Sequence, residues 1–136
     1  MKELLFLVGS YLVGSIPTAY LLVKKIKQVD VRNIGSGNVG ATNAMRAGGK
    51  VVGLLTLVVD FLKGFVPIFL LKKFFNAESL VYLMPLVTIA VVSGHIFNIF
   101  LGFKGGKGVA TYCGAIVGIS PLIFLYGFNC GKTLSQ

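Results

Sequence analysis

The chain has 136 residues, 55% of them hydrophobic and 12% charged, and 13 Lys and Arg against 4 Asp and Glu give a formal net charge of +9. That composition excludes a water-soluble core of ordinary make-up. The basic residues sit in short loops between apolar runs rather than along one solvated face, which argues against nucleic acid and for anionic lipid headgroups or an anionic substrate.

Residues 4–23 carry no charge, enough at helical rise to cross a hydrocarbon core of about 30 Å, and form the first predicted span. Pro17 predicts a kink near Ser15. The stretch is too long for a signal peptide and lacks a small-residue cleavage site, so it is expected to be retained. Residues 24–50 read as a polar, glycine-rich loop carrying Lys24, Lys25, Lys27, Arg32, Arg46 and Lys50. The second predicted span, residues 51–71, contains Asp60 and Lys63, whose spacing of three puts both on one helix face as an ion pair. Spans at residues 80–103, with His95 and Asn98, and at 109–128 follow. The expectation is a single all-α integral membrane domain over residues 1–136 with about four transmembrane helices. Cys113 and Cys130 lack a CxxC pattern and read as packing residues, not as metal ligands or a disulfide framework.

Eight basic residues fall in the loops after spans one and three, against Lys2, Lys72, Lys73 and Lys132 on the other side. By the positive-inside tendency the two glycine-rich loops are cytoplasmic and the N-terminus is outside.

The stretch from Asn33 to Arg46 is the most informative. Its glycines let successive N–H groups converge on an anion, Ser36, Asn38 and Thr42 add side-chain contacts, and Arg46 offers a planar fork for phosphate oxygens. Gly35, Gly37 and Gly40 spell GxGxxG, but a dinucleotide fingerprint needs flanking strands, and the matching acid, Asp60, lies inside a span. The alternative is that these glycines only let helices turn or pack. A second strip, Lys104, Gly105, Gly106, Lys107 and Gly108 before a helix start, combines two ammonium groups with N-terminal amides. It is no nucleotide P-loop, because Leu101 stands where that motif needs glycine. Its alternative is a basic anchor at the membrane surface. His95 is an ionisable group near the same end of its span, either catalytic or a hydrogen-bonded packing histidine. The acyltransferase His with Asp five residues on is absent, since Phe100 occupies that place.

Gly14-Ser15-Ile16-Pro17, Gly35-Ser36-Gly37-Asn38 running to Arg46, Asp60 with Lys63-Gly64, Gly94-His95, and the strip from Lys104 to Thr111 together resemble the bacterial PlsY family of acyl-phosphate:glycerol-3-phosphate acyltransferases, over roughly residues 9–127. The resemblance implies a helical inner-membrane enzyme of phospholipid synthesis, which moves an acyl group from acyl phosphate to the 1-hydroxyl of glycerol 3-phosphate. It implies no cofactor and no metal, and membrane lipids as surroundings. The implied substrate and phosphate-binding residues are Ser36, Gly37, Asn38, Thr42, Asn43, Arg46, Gly105, Gly106 and Gly108, with Lys104, Lys107 and His95 as catalytic residues.

Two departures bear on this. Asn98 stands where the family usually has proline, which is expected either to straighten the helix or to add a polar contact. The chain also ends in a polar stretch after Phe128, where the family continues with further helices. The expectation is a truncated or frameshifted member that keeps the phosphate-binding half and is weak or inactive alone. The competing classes are a small four-span anion channel or transporter, and a non-catalytic membrane fragment or assembly partner.

Overall fold

The structure, a computed structural model, describes residues 1–134, and among these there is no strand. The readings of Cys130 and Lys132 fall on side chains outside the described ones. Seven helices follow in order: α1 (Lys2–Gly14), α2 (Thr18–Lys27), α3 (Ala41–Gly48), α4 (Lys50–Phe74), α5 (Ala77–Ile96), α6 (Val109–Ile119) and α7 (Pro121–Leu134).

Three segments, Lys2–Lys27, Lys50–Phe74 and Ala77–Leu101, are long and apolar enough to cross a membrane. Their outward side chains are apolar: Leu5, Leu54, Val81 and Ile89 are 66%, 61%, 77% and 62% exposed, as surfaces solvated by lipid require. The first segment is interrupted where Pro17 lacks an N–H, between α1 and α2.

The predicted fourth span, residues 109–128, is corrected in one respect: it is not one continuous helix. Ser120 is extended (φ −159°, ψ 117°), as a residue before proline prefers, so α6 stops at Ile119 and α7 starts at Pro121. The eleven residues of α6 rise only about 16 Å, half of a hydrocarbon core. The Lys72 ammonium donates to the Ile119 carbonyl at 2.6 Å, satisfying an orphan acceptor at the break. A second correction concerns residues 24–50. They are not all loop, because α2 runs to Lys27 and the helix α3 lies within them.

Small residues set the helix crossings. A Cβ on Gly64 of α4 would fall on the Thr111 carbonyl oxygen, and one on Gly114 of α6 on the Phe61 carbonyl oxygen, so the two backbones touch reciprocally. Gly14 and Gly94 do the same for α1 and α5, against the carbonyls of Val91 and Tyr11. Two apolar clusters result. One gathers Ala19, Val23, Val31, Val39, Ala44, Val52 and Leu101, and the other Ile68, Leu71, Leu83, Val87 and Ala115. Along α4, Asp60 and Lys63 fall between them.

Where the backbones touch, no methyl can be inserted without separating α4 from α6. Gly64→Ala is therefore expected to destabilise the fold by about 1–3 kcal/mol or more, the usual cost of overpacking, read as a lower midpoint in thermal or denaturant unfolding in lipid nanodiscs. An unchanged midpoint would contradict the close crossing.

Candidate active site

The segment between α2 and α3 is shaped by one side chain. Asn43 is 2% exposed, and its Nδ2 donates to the carbonyls of Val31 (3.0 Å), Ile34 (2.8 Å) and Asn38 (3.0 Å), while its Oδ1 accepts the Ser36 N–H at 3.3 Å. The chain is thereby wrapped around a single amide. Gly37 turns with φ 73°, a region that favours glycine, and donates to the Ile34 carbonyl at 2.9 Å; the Ser36 hydroxyl oxygen accepts the Asn38 N–H at 3.3 Å. At its foot the Arg32 guanidinium grips Asp30 with two prongs, Nε to Oδ1 at 3.0 Å and the terminal nitrogen to Oδ2 at 2.7 Å, and lies 5.1 Å from the Tyr20 ring centroid.

The second strip folds back onto the end of α5. The Gly105 N–H donates to the Ile96 carbonyl at 2.8 Å and the Gly106 N–H to the His95 carbonyl at 3.2 Å. A Cβ on Gly105 would strike the His95 carbonyl oxygen and one on Gly106 would strike His95 Nε2, so this backbone lies directly on His95. Gly108 (φ 77°) then turns the chain into α6. Asn98 caps a short 3₁₀ turn, accepting the Phe100 N–H at 3.0 Å; of the two outcomes expected of it, the structure has the polar contact and not a straightened helix.

Both strips open onto one cleft of about 770 Å³. Its polar wall holds Ser36, Asn38, Thr42, Asn43, Arg46, Asp60, His95, Lys107 and Gly108, and its apolar wall includes Leu57, Val58, Phe61 and Leu62 of α4, Cys113 of α6 and Phe124 of α7. Gly40, Ala41 and Thr42 at the start of α3, and Gly108, Val109 and Ala110 at the start of α6, also face it. Neither helix has a side-chain cap, so first-turn amides of two helices are available to an anion in the cleft. Among the described residues Arg46 and Lys107 make no ion pair, while Asp60 is matched by Lys63 within the protein. The cleft is therefore electropositive. No group of His, Cys, Asp and Glu suited to a metal ion occurs among the described residues.

Not every residue singled out from the sequence reaches this wall. Lys104 is exposed and does not line the cleft; Gly37 lies within the first strip, its N–H taken by Ile34. Gly105 and Gly106 line a smaller pocket behind His95, shared with Ile16, Lys63 and Asn98.

Beneath the cleft is a buried polar layer. Lys63 Nζ lies 2.6 Å from Asp60 Oδ1 as an ion pair rather than an aligned hydrogen bond, and no other donor reaches that oxygen. The same ammonium donates to the Ile16 carbonyl at 2.5 Å. His95 Nδ1 is 3.9 Å from Asp60 Oδ1 and 3.4 Å from the Thr111 hydroxyl. The sequence placed Thr111 and Ile16 in its motifs without giving either a role of its own, and it did not mark the apolar wall. The proline after Ile16 was a signal for the carbonyl, whereas nothing in the spacing pointed to Thr111.

The Glycerol-3-phosphate acyltransferase family profile matches residues 4–134. The chain belongs to this family. It is 47% identical over 128 residues to the glycerol-3-phosphate acyltransferase of Aquifex aeolicus, covering 94% of this chain and 65% of that one. It is 50% identical over 123 residues to that of Geobacter metallireducens, covering 90% and 61%. The acyltransferase-family fold is shared with crystal structures of PlsY (YgiH), an integral membrane glycerol 3-phosphate acyltransferase. Its glycerol 3-phosphate form matches with a TM-score of 0.84 at 44% identity over 100% of this chain and 68% of that one. Its lysophosphatidic acid form matches with a TM-score of 0.81 at 44% identity over 94% and 62%. The chain spans less than two thirds of the length of the curated relatives named here.

The clip at the foot of the first strip gives a pH prediction. The hydrogen-bonded Arg32 guanidinium holds the Asp30 carboxyl below its ordinary value of 3.8, so the stabilisation it gives is complete above that value and is lost as pH falls through the lowered one. Amide exchange of the Gly37 segment, corrected for the intrinsic pH dependence, is expected to quicken in wild type only below pH 3.8. In Asp30→Asn it is expected to be fast at every pH, and an acid step surviving in that variant would rule the clip out.

Proposed function

We propose that the cleft binds glycerol 3-phosphate beside acyl phosphate and passes the acyl group to the 1-hydroxyl, giving lysophosphatidate and inorganic phosphate. The observation that carries this reading is the meeting of two glycine-bearing, cationic strips in one cleft with an apolar wall. Further support comes from the similarity to a protein whose crystal structures are described as glycerol 3-phosphate and lysophosphatidic acid forms. The channel alternative finds no support among these relatives.

In this scheme Arg46, Ser36, Asn38 and Thr42, with the first amides of α3, hold the glycerol phosphate group. Lys107 and the first amides of α6 close on the same phosphate from the second strip and neutralise the phosphate leaving group of the acyl donor as it departs, and Lys104 adds to the field at the entrance. Asn43, Gly37, Gly105, Gly106 and Gly108 shape the backbone that presents these groups. The acyl chain lies along Leu57, Val58, Phe61 and Leu62.

The 1-hydroxyl oxygen attacks the acyl carbonyl carbon, the bond from that carbon to the phosphate oxygen breaks, and inorganic phosphate leaves with its electron pair. The hydroxyl proton passes to a phosphate oxygen or to His95. Because phosphate is already a good leaving group, positioning and charge neutralisation supply the rate, and no protein nucleophile is needed. Among the described residues no serine or cysteine is hydrogen-bonded to His95. The eight basic residues of the segments after the first and third spans support, by the positive-inside tendency, an orientation with these segments in the cytoplasm and the N-terminus outside the bacterial inner membrane.

Binding of glycerol 3-phosphate to the chain in nanodiscs, with acyl-phosphate turnover measured alongside, tests the assignment. Arg46→Ala and Lys107→Ala are each expected to lose about 1.5–3 kcal/mol, roughly ten- to hundredfold, the worth of a hydrogen bond to a charged group. Wild-type affinity and turnover in both variants would refute the roles given to these residues.

A further inference from the structure

Lys63 is 4% exposed, inside an apolar bundle where a charge must be matched. Were neutralising Asp60 its whole task, a contact within α4 three residues apart would suffice. Instead the ammonium reaches across to the Ile16 carbonyl, 47 residues away. That carbonyl stands at the break before Pro17 and also accepts the Thr18 N–H at 2.9 Å. The break is tied to the end of α5 as well, since the Ser15 hydroxyl donates to the Gly94 carbonyl at 3.0 Å and the Tyr11 hydroxyl to the Phe97 carbonyl at 2.6 Å.

From there the contacts lead to the cleft. Asp60 and Thr111 flank His95 Nδ1, and the backbone of Gly105 and Gly106 lies on the other side of the same residue. The next residue is Lys107, followed by the glycine that starts α6. Resting on the reading of the cleft as a phosphate site, we infer that Lys63 is a positioning residue. It pins the Ile16 carbonyl and the Asp60 carboxylate at once, and so fixes His95 and the glycine backbone that presents Lys107 and the start of α6 to the substrate phosphate.

Removing both charges separates positioning from neutralisation, because replacing a buried ion pair by neutral side chains of similar size often leaves the fold intact. Wild type, Lys63→Met and the double variant Asp60→Asn with Lys63→Met are compared in nanodiscs, with helicity and melting as the check on folding. Two quantities are read, the glycerol 3-phosphate dissociation constant and the amide exchange of the segments containing Thr18 and Gly105 with Gly106. Both variants are expected to bind about tenfold or more weakly, the scale of misplacement by a fraction of an ångström, and to exchange faster at both segments. A double variant that binds within twofold of wild type, or keeps wild-type exchange, overturns the inference.

Pro17→Ala gives the same test with Asp60 and Lys63 untouched. It restores an N–H whose helical acceptor is the Val13 carbonyl, and a helix continued through the break turns the Ile16 carbonyl toward the Tyr20 N–H and away from Lys63. It is expected to repeat both changes, and unchanged affinity or exchange would again overturn the inference, which keeps it testable should the Met variants fail to fold. If wild type itself binds no glycerol 3-phosphate, the proposed function fails, while the exchange arm still decides whether Lys63 pins the backbone.

Discussion

Hydrocarbon solvates no ions and no unpaired carbonyls, so every polar group carried into this bundle has to find its partner inside it. The Lys63 ammonium, set between the Asp60 carboxylate and the Ile16 carbonyl, is where that constraint presses hardest. It lets the chain keep a proline break in its first spanning segment and a carboxylate within α4, and it draws both toward His95. The two cationic, glycine-bearing strips rest on this layer, with one apolar cluster on either side of it along α4.

The apolar packing serves the same end by different means. Gly64 and Gly114 bring α4 and α6 into backbone contact, which carries the Thr111 hydroxyl to His95 and aims the start of α6 at the cleft. Above this floor the strips differ in construction. The first is wound about the Asn43 amide, and the second lies on the end of α5. Each leaves one cation, Arg46 or Lys107, unpaired within the described protein and directed at the same space.

Much of this could be read in the sequence, for identifiable reasons. Long uncharged runs announce helices that cross a membrane, and a spacing of three puts Asp60 beside Lys63. Glycine with Ser, Asn and Arg in the first strip, and with Lys in the second, marks the residues that line the cleft from which the anion site is proposed. What escaped depended on tertiary geometry. The helix α3 was hidden in a segment whose glycines read as loop, although Ala41, Ala44 and Ala47 share a face. The break at Ser120 and Pro121 was masked by apolar composition on both sides. Lys104 and Lys107 are equivalent by type, and only the fold of Gly105 and Gly106 onto His95 puts one in the cleft wall and the other outside it. Asn43 was grouped with the substrate-facing polar residues, but its amide is occupied by the backbone it organises.

The central claim is that two distant strips hold one anion together. Amide NMR of the chain in nanodiscs during titration with glycerol 3-phosphate tests it directly, by following Ser36 and Thr42 in the first strip and Gly108 and Val109 in the second. The account predicts that all four shift together with a single dissociation constant. Shifts confined to one strip, or two sets with different constants, would contradict it.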